Sequence, residues 1–383
     1  MDRIYLDHAA TTTVRPEVVE AMVPLLRGGY NASSLHAEGR AARAALDQAR
    51  GTVAGILGAA PREIVFTGSG SEADVMAVVG AARARAADGR HVVTSAIEHH
   101  AVLHAVDVLE RDGWTVTRLP VDGRGLVDPA AFAAALTPRT TVASIMLANN
   151  EIGVIQPVAQ LAALARERGV LFHTDAVQAP GWLPLDVTAL GVDLLSLSSH
   201  KFEGPKGTGV LYVRRGTPLE PLIVGGGHEH GLRAGTENLA GIAGFARALV
   251  LAESERSEKA ARVGALRDRL EAAIVAGIPD VAINAAGAPR LPGNLSVAFA
   301  DAPSDALLMR LDLEGIAASA GSACAAGSLE PSHVAAALGL SERHRLGVIR
   351  FSLGRTTSAD EIEQVVRCLP ALLADVRTPL PVT

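Results

Sequence analysis

The sequence predicts an α/β protein in which a large, mostly parallel sheet is accompanied by a smaller α+β domain. Between Arg15 and Leu251, short apolar runs alternate with longer amphipathic segments, a pattern typical of strands joined by covering helices. From Glu253 a charged helix begins a segment that mixes helices with only two predicted strands. We therefore expect a large domain over 15–252 and a small domain made of 1–14 and 253–383.

Seven apolar runs are predicted to form the strands of the large sheet. Helical patterns such as Gln160–Arg168 separate many of these runs, as expected when parallel strands are joined by crossover helices. The runs are Glu63–Thr67, His91–Ala96, Thr115–Leu119, Val142–Leu147, Val170–Asp175, Leu194–Ser198 and Val210–Val213.

The small domain is predicted to start with an amphipathic helix. Its apolar residues recur at spacings of three and four, which places Val263, Leu266, Leu270 and Ile274 on one face. The elements expected after it are a strand at Asn294–Phe299, a helix at Ser304–Leu313, a loop of small residues at Ala317–Ser328, a strand at Val348–Ser352 and a final helix from Ser358.

Charge and hydropathy exclude several classes of function. The 383 residues carry a net charge of -6, without the basic excess expected for nucleic-acid partners or anionic membrane surfaces. No apolar run approaches the length of a membrane span, and the first residues lack a secretory signal. Two cysteines, Cys324 and Cys368, cannot build a disulfide framework, which favours a reducing cytoplasm.

Lysine is scarce in this chain. The 35 basic residues include only three lysines, at 201, 206 and 259, so arginine dominates. Codon bias is the simplest cause, but a lysine that persists can do what arginine cannot, because only a primary amine forms a Schiff base. Lys201 also follows a predicted strand, whereas Lys206 lies in a Gly-Pro-Lys-Gly turn and is interpreted as a turn residue.

Two segments suggest how a phosphorylated ligand is bound. In Glu63–Glu72, a strand runs through a Gly/Ser turn into a helix, where free N–H groups and the helix dipole favour phosphate. The alternative is a plain turn that is N-capped by Ser69 or Ser71. In Leu194–Gly207, the strand ends at Ser198, His200 and Lys201, which offer a hydroxyl, an imidazole and an amine.

A third segment, His173–Gln178, places Asp175 at the carboxyl end of an apolar strand. Open α/β sheets bind ligands at such ends. A carboxylate there can pair with a protonated pyridine nitrogen and keep the ring an electron sink. The alternative is that Asp175 caps the segment that follows.

Taken in order, these motifs resemble those of the cysteine desulfurases, a family within the class V aminotransferase group of fold-type I pyridoxal-phosphate enzymes. The resemblance runs nearly end to end. It is carried by Tyr5–Thr12, Glu98-His99, Asn149–Gly153, Asp175 with Gln178, Ser198–Lys201, Gly225–Glu229 with Arg233 and Thr236, and Arg350–Arg355. It implies a pyridoxal-phosphate transferase with a mostly parallel, seven-stranded sheet.

The resemblance also implies roles for individual residues. Lys201 would bind pyridoxal 5'-phosphate covalently, His99 would stack on its ring, and Asp175 would pair with the ring nitrogen. Gln178 would bind the ring hydroxyl, and Thr236 would reach the phosphate of a neighbouring subunit, which implies a homodimer. The phosphate would be held by Gly70, Ser71, Ser198 and His200, and the substrate carboxylate by Asn150, Arg350 and Asn31, with Asn150 also binding the cofactor.

Cys324 is the predicted sulfur acceptor. It lies among small residues within Ala318–His333, which resembles the longer active-site loop of group I desulfurases, the kind that hands sulfur to other proteins. The implied reaction takes sulfur from L-cysteine, releases L-alanine and leaves a persulfide on Cys324, for an iron–sulfur scaffold or a sulfur relay protein. Cys324 could also transiently ligate an iron–sulfur cluster with a scaffold partner. Cys368 is predicted to pack in the final helix.

Alternatives remain at this level. A selenocysteine lyase would use the same scaffold, a plain class V aminotransferase would not need Cys324, and a non-catalytic sulfur-assembly partner would not need Lys201. An intrinsic metal site is not expected. His100 and His104 are four residues apart on a predicted helix, and His228 and His230 flank Glu229. No metal-binding motif accompanies these histidines.

Overall fold

The structure is a computed structural model that describes residues 3–320 and 332–377. Its strands, numbered along the chain, are β1 (Ile4–Tyr5), β2 (Ile64–Thr67), β3 (His91–Ser95), β4 (Thr115–Leu119), β5 (Thr140–Ser144), β6 (Leu171–Asp175), β7 (Leu194–Ser198), β8 (Gly209–Val213), β9 (Val281–Ile283), β10 (Asn294–Phe299), β11 (Ile316–Ala317) and β12 (Val348–Ser352).

Helices connect and cover these strands. A π-helical turn at Met76–Gly80 joins the third and fourth helices, so that 70–84 forms one continuous helical segment. The helices are α1 (Pro16–Gly28), α2 (Ala37–Leu57), α3 (Gly70–Val75), α4 (Ala81–Ala84), α5 (His100–Arg111), α6 (Pro129–Ala135), α7 (Val158–Glu167), α8 (Val187–Leu190), α9 (Leu239–Ser254), α10 (Arg256–Gly277), α11 (Ser304–Leu313), α12 (His333–Ala337), α13 (Glu342–Arg345) and α14 (Ala359–Arg377).

Seven strands form the large sheet in the order β2-β8-β7-β6-β5-β3-β4. Within this sheet, β8 runs antiparallel to its neighbours β2 and β7, and the other pairs are parallel. The predicted α/β class and mostly parallel sheet are confirmed. Strand β5 covers Thr140–Ser144, so it starts two residues before the predicted Val142 and ends earlier than the predicted Leu147. Hydrogen bonding to the β6 segment nevertheless continues to Leu147, whose amide donates to the Asp175 carbonyl at 2.8 Å.

Apolar side chains cover both faces of the large sheet. Along β7, Leu194 and Leu195 point to opposite faces and belong to separate buried clusters. Along β2, Val65 and Phe66 divide in the same way. Because both faces are buried, these strands are continuous apolar runs rather than alternating ones, which is why they could be found from the sequence.

The C-terminal part builds a smaller antiparallel sheet, ordered β12-β10-β9, on which α10 and α14 pack. Strand β1 pairs in parallel with β11, and Ile4 and Leu6 are buried in the same cluster as this sheet. The two-residue strands β1 and β11 were not predicted, because elements this short have no periodicity. The domain boundaries stay a prediction. Within the described ranges, no helix has the length and apolar character to cross a membrane.

Candidate active site

Ten of the predicted site residues line one cavity of about 490 Å³. This volume lies in the range of small-molecule and cofactor sites. Several of its residues come from the carboxyl ends of neighbouring strands of the large sheet, where open α/β folds bind ligands. The ten are Gly70, Ser71, His99, Asn150, Asp175, Gln178, Ser198, His200, Lys201 and Arg350.

Lys201 lies in the short 3-10 turn that follows β7. Its ammonium donates to the carbonyl oxygens of Ala9 at 2.6 Å and Ala10 at 2.8 Å. The neighbouring His200 is held to the same N-terminal segment by Thr11, whose Oγ1 lies 3.1 Å from His200 Nδ1. The amine is therefore placed at the cavity wall by hydrogen bonds between two distant parts of the chain. Lys206 also borders the cavity, but it is exposed.

The phosphate cradle lies at the start of the helical segment 70–84. Ser69 caps this helix, since its hydroxyl accepts from the Glu72 amide at 3.0 Å. A Cβ on Gly70 would lie 2.9 Å from Val177 Cγ2 and 3.0 Å from Ser198 Cβ, so only glycine fits without a shift. Backbone N–H groups of a helix start, with the hydroxyls of Ser71 and Ser198 in the same cavity wall, fit a phosphate group.

Asp175 ends β6 and is buried beside the cavity. Its Oδ1 accepts from the Val177 amide at 2.9 Å. Burial raises the pKa of Asp175, while the nearby His99 and Lys201 act in the opposite direction. A buried carboxylate that needs a positive partner fits a protonated ring nitrogen. Gln178, three residues on, donates to the Ala9 carbonyl at 3.1 Å.

His99 is the N-cap of α5 and faces the same cavity. Its Nδ1 accepts from the Ala101 amide at 3.1 Å, which assigns the ring proton to Nε2 in the neutral form. Burial is the main cause that lowers the pKa of His99. The imidazole is therefore uncharged near neutral pH and carries one exchangeable proton at a fixed position.

Arg350 is the largest of the fully buried side chains and lies on β12. Its guanidinium donates to the Asn150 carbonyl at 2.8 Å and to the Asp7 carboxylate at 2.6 Å. A planar guanidinium fixed in this way is suited to binding a substrate carboxylate in a two-point geometry.

Three predicted site residues do not line this cavity in the described structure. Thr236 borders a separate cavity together with Glu237 and Asn238. Asn31 is exposed, and its Oδ1 accepts from the Ser33 amide at 2.8 Å. Cys324 lies outside the described residues. The roles of these residues, and those of the ten in the cavity, stay predictions.

Sequence reasoning missed three carboxylates at the site. Asp74 and Glu151 line the cavity, and Asp7 pairs with Arg350. Asp74 had a signal, since an acidic residue that is followed by a run of apolar helical residues points to a buried, functional position. Asp7 had no such signal, because its partner lies 343 positions away in the sequence.

Known proteins resemble this chain over most of its length. Residues 4–365 match the family described as Aminotransferase class-V. The cysteine desulfurase IscS of Dictyoglomus turgidum is 46% identical over 98% of this chain and 95% of its own length. A solved NifS-like protein has a TM-score of 0.91 and 36% identity, covering 97% of this chain and 100% of the other. The structure of SspA in complex with cysteine has a TM-score of 0.81 and 37% identity, covering 91% of this chain and 98% of the other.

Proposed function

This chain belongs to the class-V aminotransferase family, and we propose on that premise that it is a cysteine desulfurase. It takes sulfur from L-cysteine with pyridoxal 5'-phosphate as cofactor and releases L-alanine. The observation that carries the proposal is one cavity that holds a strand-end lysine, a buried carboxylate, a neutral histidine and a glycine-based phosphate cradle.

When bound, pyridoxal phosphate supplies attachment to primary amines and a ring that withdraws electrons from the substrate Cα. The chain provides the groups around it. Lys201 Nζ would hold the cofactor, and its amine is the base placed to take a proton from the substrate Cα. The Asp175 carboxylate would pair with the ring nitrogen and keep it protonated. Arg350 orients the substrate carboxylate, and Asn150 keeps Arg350 in position through its carbonyl.

Sulfur leaves the site on Cys324. The Cys324 thiolate attacks the sulfur of L-cysteine, the bond between that sulfur and Cβ breaks, and the electron pair goes to the carbon side. Cβ takes one proton, and the proton that Lys201 removed from Cα is returned, which completes L-alanine. The enzyme gains one sulfur atom as a persulfide, so no outside oxidant or reductant is needed. His99, with its Nε2 proton, is the proposed proton carrier.

The persulfide then passes to an acceptor protein, either an iron–sulfur scaffold or a sulfur relay protein. We place the enzyme in a reducing cytoplasm, where its thiols stay free. We also propose a homodimer in which Thr236 binds the phosphate of the neighbouring subunit. Thr236 lies beside a separate cavity rather than in the cavity that holds Lys201, and this position supports the assignment.

The test is to incubate the purified holoenzyme with L-cysteine and measure L-alanine and sulfide. Lys201→Ala is expected to lose the visible absorbance of bound cofactor and all alanine release. Lys206→Ala, at an exposed position on the cavity rim, should keep both. A strong preference for selenocysteine, or amino transfer that depends on a keto acid, would replace the proposal with one of the related activities. A colourless protein without turnover would contradict it.

A further inference from the structure

Asp74 is a buried carboxylic acid to which the mechanism above assigns no task. It lies in α3, four residues after Gly70, and is 1% exposed. Its Oδ1 has no hydrogen-bond partner within the part of the chain that the structure describes. An unpartnered, buried carboxylate oxygen is costly if the group is charged and much less so if it is protonated.

The surroundings of Asp74 offer more negative than positive charge. One side-chain ligand atom each of Asp74, His99 and Asp175 lies within 4.8 Å of the other two. Burial is the main cause that raises the pKa of Asp74, and Asp175 and Glu98 raise it further, whereas the hydrogen bond with the Ser196 side chain acts in the opposite direction.

The nearest imidazole does not supply a positive charge. His173 Nε2 lies 3.6 Å from Asp74 Oδ1. Burial lowers the pKa of His173 to about 3, so the ring is neutral at any physiological pH. Its two nitrogens are already within hydrogen-bond distance of Ser144 Oγ at 2.8 Å and Ser196 Oγ at 2.9 Å.

Two carboxyl groups this close in a buried site do not both ionise, so one of them holds a proton. The anionic form of Asp175 is stabilised, because its carboxylate accepts from the Val177 amide and because His99 and Lys201 lower its pKa. For Asp74, the hydrogen bond with Ser196 favours the anion, but burial and the charge of Asp175 oppose it. The proton therefore belongs on Asp74.

We propose that Asp74 is a positioning residue, held as a neutral carboxylic acid so that Asp175 is the anion of the pair at this cavity. A second anion at this place would compete with Asp175 for the proton of the ring nitrogen. The position of the negative charge opposite that nitrogen would then no longer be fixed. This inference rests on the proposed function, since it assumes a ring nitrogen opposite Asp175.

Infrared spectroscopy of the holoenzyme tests the protonation directly. Wild type at neutral pH should show the carbonyl stretch of a buried protonated carboxyl group, shifted when aspartate is labelled with 13C. The band should be lost in Asp74→Asn and kept in Glu98→Gln, a matched control because Glu98 is another buried acid with a raised pKa. A labelled wild-type spectrum without such a band overturns the inference, even if no variant folds.

A second measurement follows the pH at which the visible absorbance of bound cofactor changes. Asn mimics a neutral acid, so Asp74→Asn should move this midpoint by less than about 0.3 pH unit, whereas Asp175→Asn, which removes a real charge, should move it by about one unit or more. An equal shift in both variants overturns the inference. A wild-type protein without cofactor absorbance would instead contradict the proposed function. The infrared measurement would still decide whether Asp74 is protonated.

Discussion

Arg350 and Asp7 form an ion pair in which the guanidinium Nη2 lies 2.6 Å from the carboxylate Oδ1. Arg350 is almost completely buried, whereas the Asp7 side chain keeps 20% of its exposure. The pair joins the N-terminal segment that contains Asp7 to β12, and it fixes the arginine at the cavity wall. The arginine is thus positioned before any substrate arrives, which lowers the entropic cost of binding a carboxylate.

Arg350→Lys should raise the KM for L-cysteine. Lysine keeps the charge but loses the planar fork, and the loss of a charge-assisted hydrogen bond of about 1.5–3 kcal/mol corresponds to about a 10- to 100-fold fall in kcat/KM. The visible absorbance of the cofactor should persist. Asp7→Asn, which leaves the arginine in place, should have a smaller effect. An unchanged KM in Arg350→Lys would remove this residue from substrate binding.

His99→Phe should retain cofactor but lose most turnover. Phenylalanine keeps a flat ring for stacking and removes the proton carrier, a loss of about 10²–10⁴-fold in kcat. Because Nδ1 of His99 also caps α5, the variant should lose about 1 kcal/mol of stability, which thermal unfolding would detect. The control is His104→Phe, at an exposed position of the same helix. Full turnover by His99→Phe would contradict the assignment.

The buried ion pair of Arg50 and Glu229 should anchor the segment that leads to Thr236. Arg50 donates to both oxygens of Glu229 at 2.7 and 2.8 Å, and the Phe66 amide donates to the same carboxylate at 2.8 Å. Arg50→Met leaves a buried, unpaired charge and should cost about 3 kcal/mol in urea unfolding.

The double variant Arg50→Met with Glu229→Gln should lose less stability than the two single variants added together, because neither charge is left alone. The control is Arg83→Met, which breaks the exposed pair with Asp112 and should change stability by less than about 1 kcal/mol. Strict additivity of the two buried substitutions would show that the pair does not act as a unit.

Glu98 should make stability fall as pH rises. Burial raises the pKa of Glu98 from 4.5 to about 8, although Ser95 and the Met146 amide donate to it. Between these two values the folded protein holds a proton that the unfolded chain has released, so the free energy of unfolding decreases with pH.

Glu98→Gln removes this proton difference and can still accept through its amide oxygen. In urea unfolding followed from about pH 5 to about pH 9, the variant should therefore gain stability relative to wild type, and the gain should level off above the folded-state pKa. A difference between the two proteins that stays constant over this range would show that Glu98 is ionised in the folded protein.

The sequence predicted most of the large sheet, because strands buried on both faces are rich in apolar residues at consecutive positions, such as 210–213 in β8. It predicted the cofactor pocket through motifs, since the glycine at 70 and the lysine at 201 each have a chemical reason to be that residue type. It could not predict which distant groups meet. The pairing of Asp7 with Arg350, the contact of Lys201 with the Ala9 carbonyl, and the crowding of Asp74 against Asp175 arise only from the folded arrangement.

Cys324 carries the central claim, that this enzyme moves sulfur onto itself. The most direct measurement is peptide mass spectrometry of the holoenzyme after incubation with L-cysteine, without reductant, together with quantitation of L-alanine. The predicted result is one added sulfur atom on the peptide that contains Cys324, none on the peptide that contains Cys368, and no sulfur uptake in Cys324→Ser with cofactor still bound. Sulfur found on Cys368, or unchanged turnover by Cys324→Ser, would contradict the claim.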